Sequence, residues 1–111
     1  RAVFLDAVLD GAQFAGSRFP NAYFQGATGA DVDFDAAVLP GACFRRAVLE
    51  RPRFRCADLA GGDFNLARLD GADFTGANLY DVKMLGTRAV GSVLQDAFTA
   101  GVQVDEPEAR R

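Results

Sequence analysis

Histidine and tryptophan are absent from this chain of 111 residues, and cysteine occurs only twice, at Cys43 and Cys56. Without histidine, the most common general base, nucleophile activator and metal ligand is missing, which removes most catalytic-triad and zinc-site chemistry. Neither thiol has an imidazole beside it in the composition to activate it. The chain is therefore read as non-enzymatic, with no cofactor and no metal. No apolar run approaches the ~20 residues that span a bilayer, and no signal-peptide pattern opens the sequence, so no membrane association is expected. Charge of one sign is also scarce: the net charge is only −3. That balance gives no reason to expect direct nucleic-acid binding. Half of the residues are apolar and 24% are charged, the composition of a folded chain rather than a disordered one.

What the sequence does contain is a period. Of the 19 positions 4, 9, 14 and onward to 94, 17 are Phe, Leu or Met, and the exceptions are Gly29 and Ala89. Two residues before each stands a second series, 12 of 19 of them Ala, the rest small or compact: Ser17, Val32, Pro52, Gly62, Val82, Thr87 and Ser92. A helix repeats every 3.6 residues and a strand every 2, so a sustained period of five belongs to neither as one continuous element. It suits a coil whose short extended sides each turn one large and one small residue inward before a corner. Glycine two residues after the large position, as at Gly11, Gly41 and Gly71, fits such a corner. Fixed-period self-similarity of this kind marks a solenoid, in which each repeat buries its apolar face only against its neighbours.

The units Ala57-Asp58-Leu59-Ala60-Gly61, Ala67-Arg68-Leu69-Asp70-Gly71, Ala72-Asp73-Phe74-Thr75-Gly76 and Ala77-Asn78-Leu79-Tyr80-Asp81 resemble the A-(D/N)-(L/F)-x-x unit of the pentapeptide-repeat family. The resemblance covers residues 1–94. It implies an all-β fold, a right-handed quadrilateral parallel β-helix with 20 residues per coil, here about 4.75 coils. The columns of the sequence agree with four sides. Positions 20 apart give Phe4, Phe24, Phe44, Phe64, Met84 and Phe14, Phe34, Phe54, Phe74, Leu94, with mainly leucine in the other two columns. The alternation of Phe with Leu from Phe34 to Leu79 has a period of ten, which divides 20 and not 15. Gly29 leaves a gap in its column, which either Phe19 fills from the facing side or a bulge at Thr28-Gly29-Ala30 removes.

Residues 95–111 leave the pattern. Leu94, Ala97, Phe98 and Val102 fall at roughly helical spacing, which predicts a short C-terminal helical cap over the last coil, with a frayed polar end after Pro107. The first coil has no visible cap and is a candidate homodimer contact, as is the C-terminal cap. Arg1 in place of Met, already in register, reads as part of a longer product or a trimmed N-terminus.

The 20-residue offset also pairs charges. It sets Asp33 below Arg53 and Arg53 below Asp73, Asp35 below Arg55, and Asp31 below Arg51, at the ~4.8 Å spacing of neighbouring strands. Arg45 and Arg46 have no acidic residue directly above or below them. Cys43 and Cys56 lie on opposite sides of one coil, beyond the ~5.5 Å that a disulfide prefers, and two free thiols fit a cytoplasmic chain. Leu5, Tyr23, Leu66 and Leu85 share one face with Arg45 and Arg46, and these six residues form the candidate contact surface for a protein partner. The function expected from this surface is that of a rigid scaffold for protein-protein interaction, or a module of a larger chain. The family resemblance implies a different class as the alternative: bacterial DNA mimics that bind DNA gyrase or topoisomerase IV, type II topoisomerases, and confer quinolone or toxin resistance. The charge count opposes it. A rod of ~23 Å would replace duplex bearing roughly 13 charges at one per ~1.7 Å, whereas the outward residues of the four faces sum to about +1, −1, −2 and −1.

Overall fold

The computed structural model describes residues 1–105. Parallel bridges join residues 20 apart along the whole of that length, as in the series Val3, Tyr23, Cys43, Asp63, Lys83, Gln103. Four corners separate each residue from its partner one coil on, because a left-handed backbone residue recurs every five positions from Asp6 to Gly101. The result is a four-sided parallel β-solenoid. Most sides are single bridges, and among the described residues only two are long enough to count as strands: β1 (Thr28–Ala30) and β2 (Val48–Glu50), paired in parallel.

Most corners close in the same way. The N–H of the small residue donates to the carbonyl of the large residue three positions earlier, as from Ala47 to Phe44 (3.0 Å) and Ala57 to Phe54 (3.1 Å). With positive φ at the third position these are type II turns, which glycine enters without strain. Pro52 has no N–H to close its corner, so the chain at Val48–Glu50 stays extended as β2. The β1 segment below it runs in matching register, Thr28 to Val48, Gly29 to Leu49 and Ala30 to Glu50. A bulge would set two residues against one; the one-to-one register excludes it. Gly29 is instead required by close approach. At φ +156° a Cβ there would lie 2.8 Å from the carbonyl carbon of Leu9. Phe19 packs edge-on to Phe4 and Phe14, with ring centroids at 5.8 and 6.1 Å.

The interior is two ladders of phenylalanine set at right angles. Phe24 stacks on Phe44 at 4.6 Å and Phe44 on Phe64 at 4.8 Å; Phe34 stacks on Phe54 at 4.9 Å and Phe54 on Phe74 at 5.2 Å. Across the core the two ladders meet edge to face, as for Phe44 and Phe54 at 5.6 Å and 89°. Both geometries suit the ring quadrupole. The facing columns Leu39, Leu59, Leu79 and Leu49, Leu69 complete a core in which these leucines are fully buried.

Two expectations need correction. Residues 95–105 are not a helical cap, and the solenoid does not stop at Leu94. Phe98 donates its N–H to Ala77 O (2.9 Å) and Gln103 to Val82 O (3.0 Å), and Asp96 and Gly101 keep the left-handed corners. Ala97 and Val102 belong to the small series, so the apolar spacing that mimics a helix is also the five-residue pattern with Thr99 in a large position. The coil beneath supplies a template of unpaired carbonyls, and that decides between the two. The frayed end expected beyond Pro107 lies outside the described residues. The other correction is burial at the ends. Leu94 is 50% exposed because no described coil lies above it.

Candidate functional site

The five-residue rule places three outward columns on the face that carries the candidate residues: Val3 to Gln103, Leu5 to Asp105, and the corner positions Asp6, Gly26, Arg46, Leu66 and Gly86. Leu5, Leu66 and Leu85 stand on it as half-exposed apolar side chains. Asn65 accepts the Leu85 N–H at 2.8 Å and so ties Leu85 to the coil below, while Asp63 accepts the Asn65 N–H at 2.9 Å. Leu66 sits in the left-handed region (φ 63°) and leans over Gly86, where a Cβ would lie 2.7 Å from Leu66 Cδ2. Tyr23 carries the Arg1 guanidinium 5.0 Å above its ring centre, and its hydroxyl accepts a hydrogen bond from that group.

A shallow recess of about 370 Å³ opens on this face, lined by Leu5, Asp6, Gln25, Gly26, Arg45 and Arg46. It brings Leu5, Arg45 and Arg46 together, while Tyr23, Leu66 and Leu85 share the face without lining the recess. Arg45 is less isolated than the sequence suggests: its Nη1 lies 3.9 Å from Asp63, a diagonal neighbour. Arg46 has no ion pair among the described residues. Asp6, Gln25 and Gly26 are the contributors that sequence reasoning missed. Their signal was the 20-residue offset, which sets Gly26 between Asp6 and Arg46.

The adjoining arginine-rich coil is mostly neutralised on other faces. Arg51 forms a bidentate pair with Asp31 (Nε to Oδ1 2.9 Å, Nη2 to Oδ2 3.1 Å), and Arg53 reaches Asp33 at 2.8 Å. Asp35 takes both the Arg55 side chain (Nε to Oδ2 3.0 Å) and the Arg55 N–H (2.9 Å). The expected step from Arg53 up to Asp73 is not made. Asp73 Oδ1 accepts instead from the Thr75 hydroxyl (2.6 Å) and the Thr75 N–H (2.9 Å), and the Arg53 guanidinium turns down toward Asp35 at 3.7 Å. The Arg51 hydrogen bond holds Asp31 below the ordinary carboxylate range. The N–H of Asp35, followed by Arg53, does the same for Asp33, and the Thr75 hydroxyl for Asp73. Arg51 and Arg55 are raised by their hydrogen bonds to Asp31 and Asp35. Cys43 and Cys56 are free thiols, half-buried and exposed respectively. No group of three or more His, Cys, Asp or Glu that could hold a metal ion occurs among the described residues, and no helix there is long and apolar enough to cross a membrane.

A solid, four-sided stack of five-residue units with aliphatic and aromatic centres and left-handed corners defines a class, the parallel β-solenoids without a central cavity. The family model for pentapeptide repeats matches residues 7–51, 30–65, 53–88 and 63–96, in eight copies. The chain belongs to the pentapeptide-repeat family. No curated protein matches it. Among solved structures it is similar to alr5209, a pentapeptide repeat protein from Nostoc PCC 7120, with TM-score 0.80 and 23% identity over 95% of this chain and 86% of that one. It is also similar to the pentapeptide repeat protein Rfr23 from the cyanobacterium Cyanothece 51142, with TM-score 0.52 and 21% identity over 80% of this chain, and it spans 60% of that protein's length. A trypsin-treated form of QnrB1, a plasmid-mediated fluoroquinolone resistance protein, matches over 96% of this chain and 82% of that one, with TM-score 0.51 and 13% identity. Likeness at these identities speaks to the fold.

Proposed function

We propose that this chain is a non-enzymatic, rigid scaffold that presents the Leu5 face to a protein partner. The observation that carries the reading is the contrast between interior and face. Among the described residues the stacked phenylalanine ladders fill the rod and leave no central cavity in which a substrate could be desolvated, whereas Leu5, Leu66 and Leu85 lie half-exposed beside a cationic recess. With two free thiols and no cross-link to maintain, the working compartment is proposed to be the cytoplasm. The test is affinity capture with the Leu5 face altered. Leu66→Asp/Leu85→Asp is expected to lose the captured partner, and Val48→Asp, on a different face, to retain it. Equal retention by both variants removes the reading.

The DNA-mimic reading draws on the family resemblance and on the fold likeness to QnrB1. Charge weighs against it: Arg45, Arg46, Arg51, Arg53 and Arg55 interrupt the middle of the rod, and no face carries the unbroken negative potential of a phosphate backbone. A gyrase supercoiling assay with and without a quinolone separates the two. No effect is expected up to high protein concentration, and inhibition or protection at low micromolar protein would establish the mimic.

A further inference from the structure

The recess beside Leu5 contains more than the fold needs. Twenty corners take left-handed φ, and ten of them are glycine. Four of the others are aspartate and one is asparagine, the residue types that best tolerate this region. The remaining five are Ala36, Arg46, Arg51, Cys56 and Leu66, and Arg46 lies at φ 61°. It is strained, and it gains no ion pair within the described chain that would offset the strain. Arg45 beside it has only a long contact to Asp63, so two guanidinium groups line one opening with most of their donors unsatisfied. Gly26 admits the Asp6 carboxylate to the wall of that opening, because a Cβ there would fall 2.2 Å from Asp6 Oδ1.

The walls of the recess differ in chemistry. Arg45 and Arg46 offer planar donor forks that match a carboxylate. Leu5 offers an apolar shelf, and Asp6 an acceptor suited to a backbone N–H. At about 370 Å³ the recess is near the lower end of the ~300 to 1,000 Å³ range of ligand sites, room for one or two side chains. Asp6 also selects against a phosphodiester chain, which brings a negative charge with every unit. We propose that this recess docks an acidic segment of a protein partner: one Glu or Asp carboxylate held between Arg45 and Arg46, with an adjacent aliphatic side chain on Leu5. The proposal rests on the scaffold reading and specifies the chemistry of the partner. The recess itself is positive, two guanidinium groups against the one carboxylate of Asp6, in a chain whose net charge is −3.

The probe is a fluorescein-labelled hexapeptide of alternating glutamate and leucine, titrated with the full chain and followed by anisotropy. Arg46→Ala is expected to weaken binding by about tenfold, the loss of one charge-assisted pair, and Arg45→Ala/Arg46→Ala to abolish it. Arg68→Ala removes the same charge from another face and should leave binding within about twofold. The glutamine-leucine peptide should bind about tenfold more weakly than its glutamate counterpart. Arg46→Gly separates binding from folding, because it relieves the corner: its Tm should match or exceed that of the parent while binding is lost. The proposal is overturned if the acidic peptide does not bind, if Arg68→Ala weakens it as much as Arg46→Ala, or if a six-nucleotide oligothymidylate competes at equal concentration. A protein partner that is lost with Leu66→Asp/Leu85→Asp but kept with Arg46→Ala would also overturn it, and would leave the scaffold itself standing.

Discussion

The inward phenylalanines Phe14, Phe24, Phe34, Phe44 and Phe54 make four aromatic contacts each, so the penalty for losing one is large. Phe54 is fully buried between Phe34 and Phe74 and edge-on to Phe44 and Phe64. Phe54→Ala should cost ~3 to 5 kcal/mol, and Phe54→Asp, which puts a charge among rings, should unfold the chain cooperatively in a thermal melt followed by circular dichroism. A variant that melts like the parent would mean that this side chain does not face inward. Corners give a finer contrast. Gly61→Ala meets nothing within 4 Å and should cost only the ~1 to 2 kcal/mol of an L-residue in the left-handed region. Gly41→Ala carries the same backbone penalty and also drives its Cβ to 2.3 Å from Asn21 Oδ1. It should be the more destabilising of the two, and Asn21→Gly should abolish the difference. The same geometry pairs Asp6 with Gly26 and Asp81 with Gly101: a side chain at one corner occupies the space above the next.

At the scale of the element, the coils are clasped by polar contacts that repeat along the sequence. Asp33, Asp58, Asp63, Asp73 and Asn78 each accept the N–H two residues on, which accounts for the Asp or Asn in the repeat unit. Asp10, Asp35, Asn65 and Asp70 each accept an N–H exactly one coil on. The ion pairs range from exposed, Arg51 with Asp31, to half-buried, Arg53 with Asp33, and Arg53→Ala should cost ~0.2 to 1 kcal/mol in denaturant melts; a loss of several kcal/mol would show that Arg53 is structurally essential. The carboxyls of Asp31, Asp33 and Asp73 titrate below their ordinary value of 3.8 in the fold. Their stabilisation is therefore complete above about pH 5, begins to fall as the unfolded carboxylates near pH 4 take up protons, and is lost through the lower folded values. A Tm that is flat from about pH 5 to 7 and falls below about pH 4 is the expected profile. Asp33→Asn, which lacks the titrating group, should flatten the acid limb.

Taken whole, the molecule is a one-dimensional stack whose ends are weaker than its middle. Phe24, Phe44, Leu39 and Leu59 are fully buried, while Phe4 and Phe14 in the first coil are only partly buried, and Leu94 near the other end is 50% exposed. Stability in such a stack is close to a sum of coil and interface contributions, so the terminal coils open first. Hydrogen exchange should show this directly. The amides of Phe44 and Phe54 should exchange only on global unfolding, and those of Phe4 and Phe98 by local opening. Uniform protection along the chain would show that an additional contact covers the ends.

The inward face, the 20-residue coil and the pairing of Asp31 with Arg51 or Asp35 with Arg55 were legible in the sequence, because burial of one large and one small residue per side is a local demand repeated without change. Other features depended on competition between groups that only folding brings together. Thr75 outbids Arg53 for Asp73, Pro52 denies one corner its closing bond, Gly29 yields to the Leu9 backbone, and unpaired carbonyls in the fourth coil draw residues 95–105 into another turn instead of a helix. The candidate surface divides in the same way. Its six residues follow from the columns, but the recess, with Asp6, Gln25 and Gly26 as walls, exists only where the left-handed corners Asp6, Gly26 and Arg46 stack across coils. Sequence period determines which side chains face inward or outward; the tertiary structure decides which acceptor each polar group finds and where the surface is left unfilled, because both depend on distances across coils that no local pattern specifies.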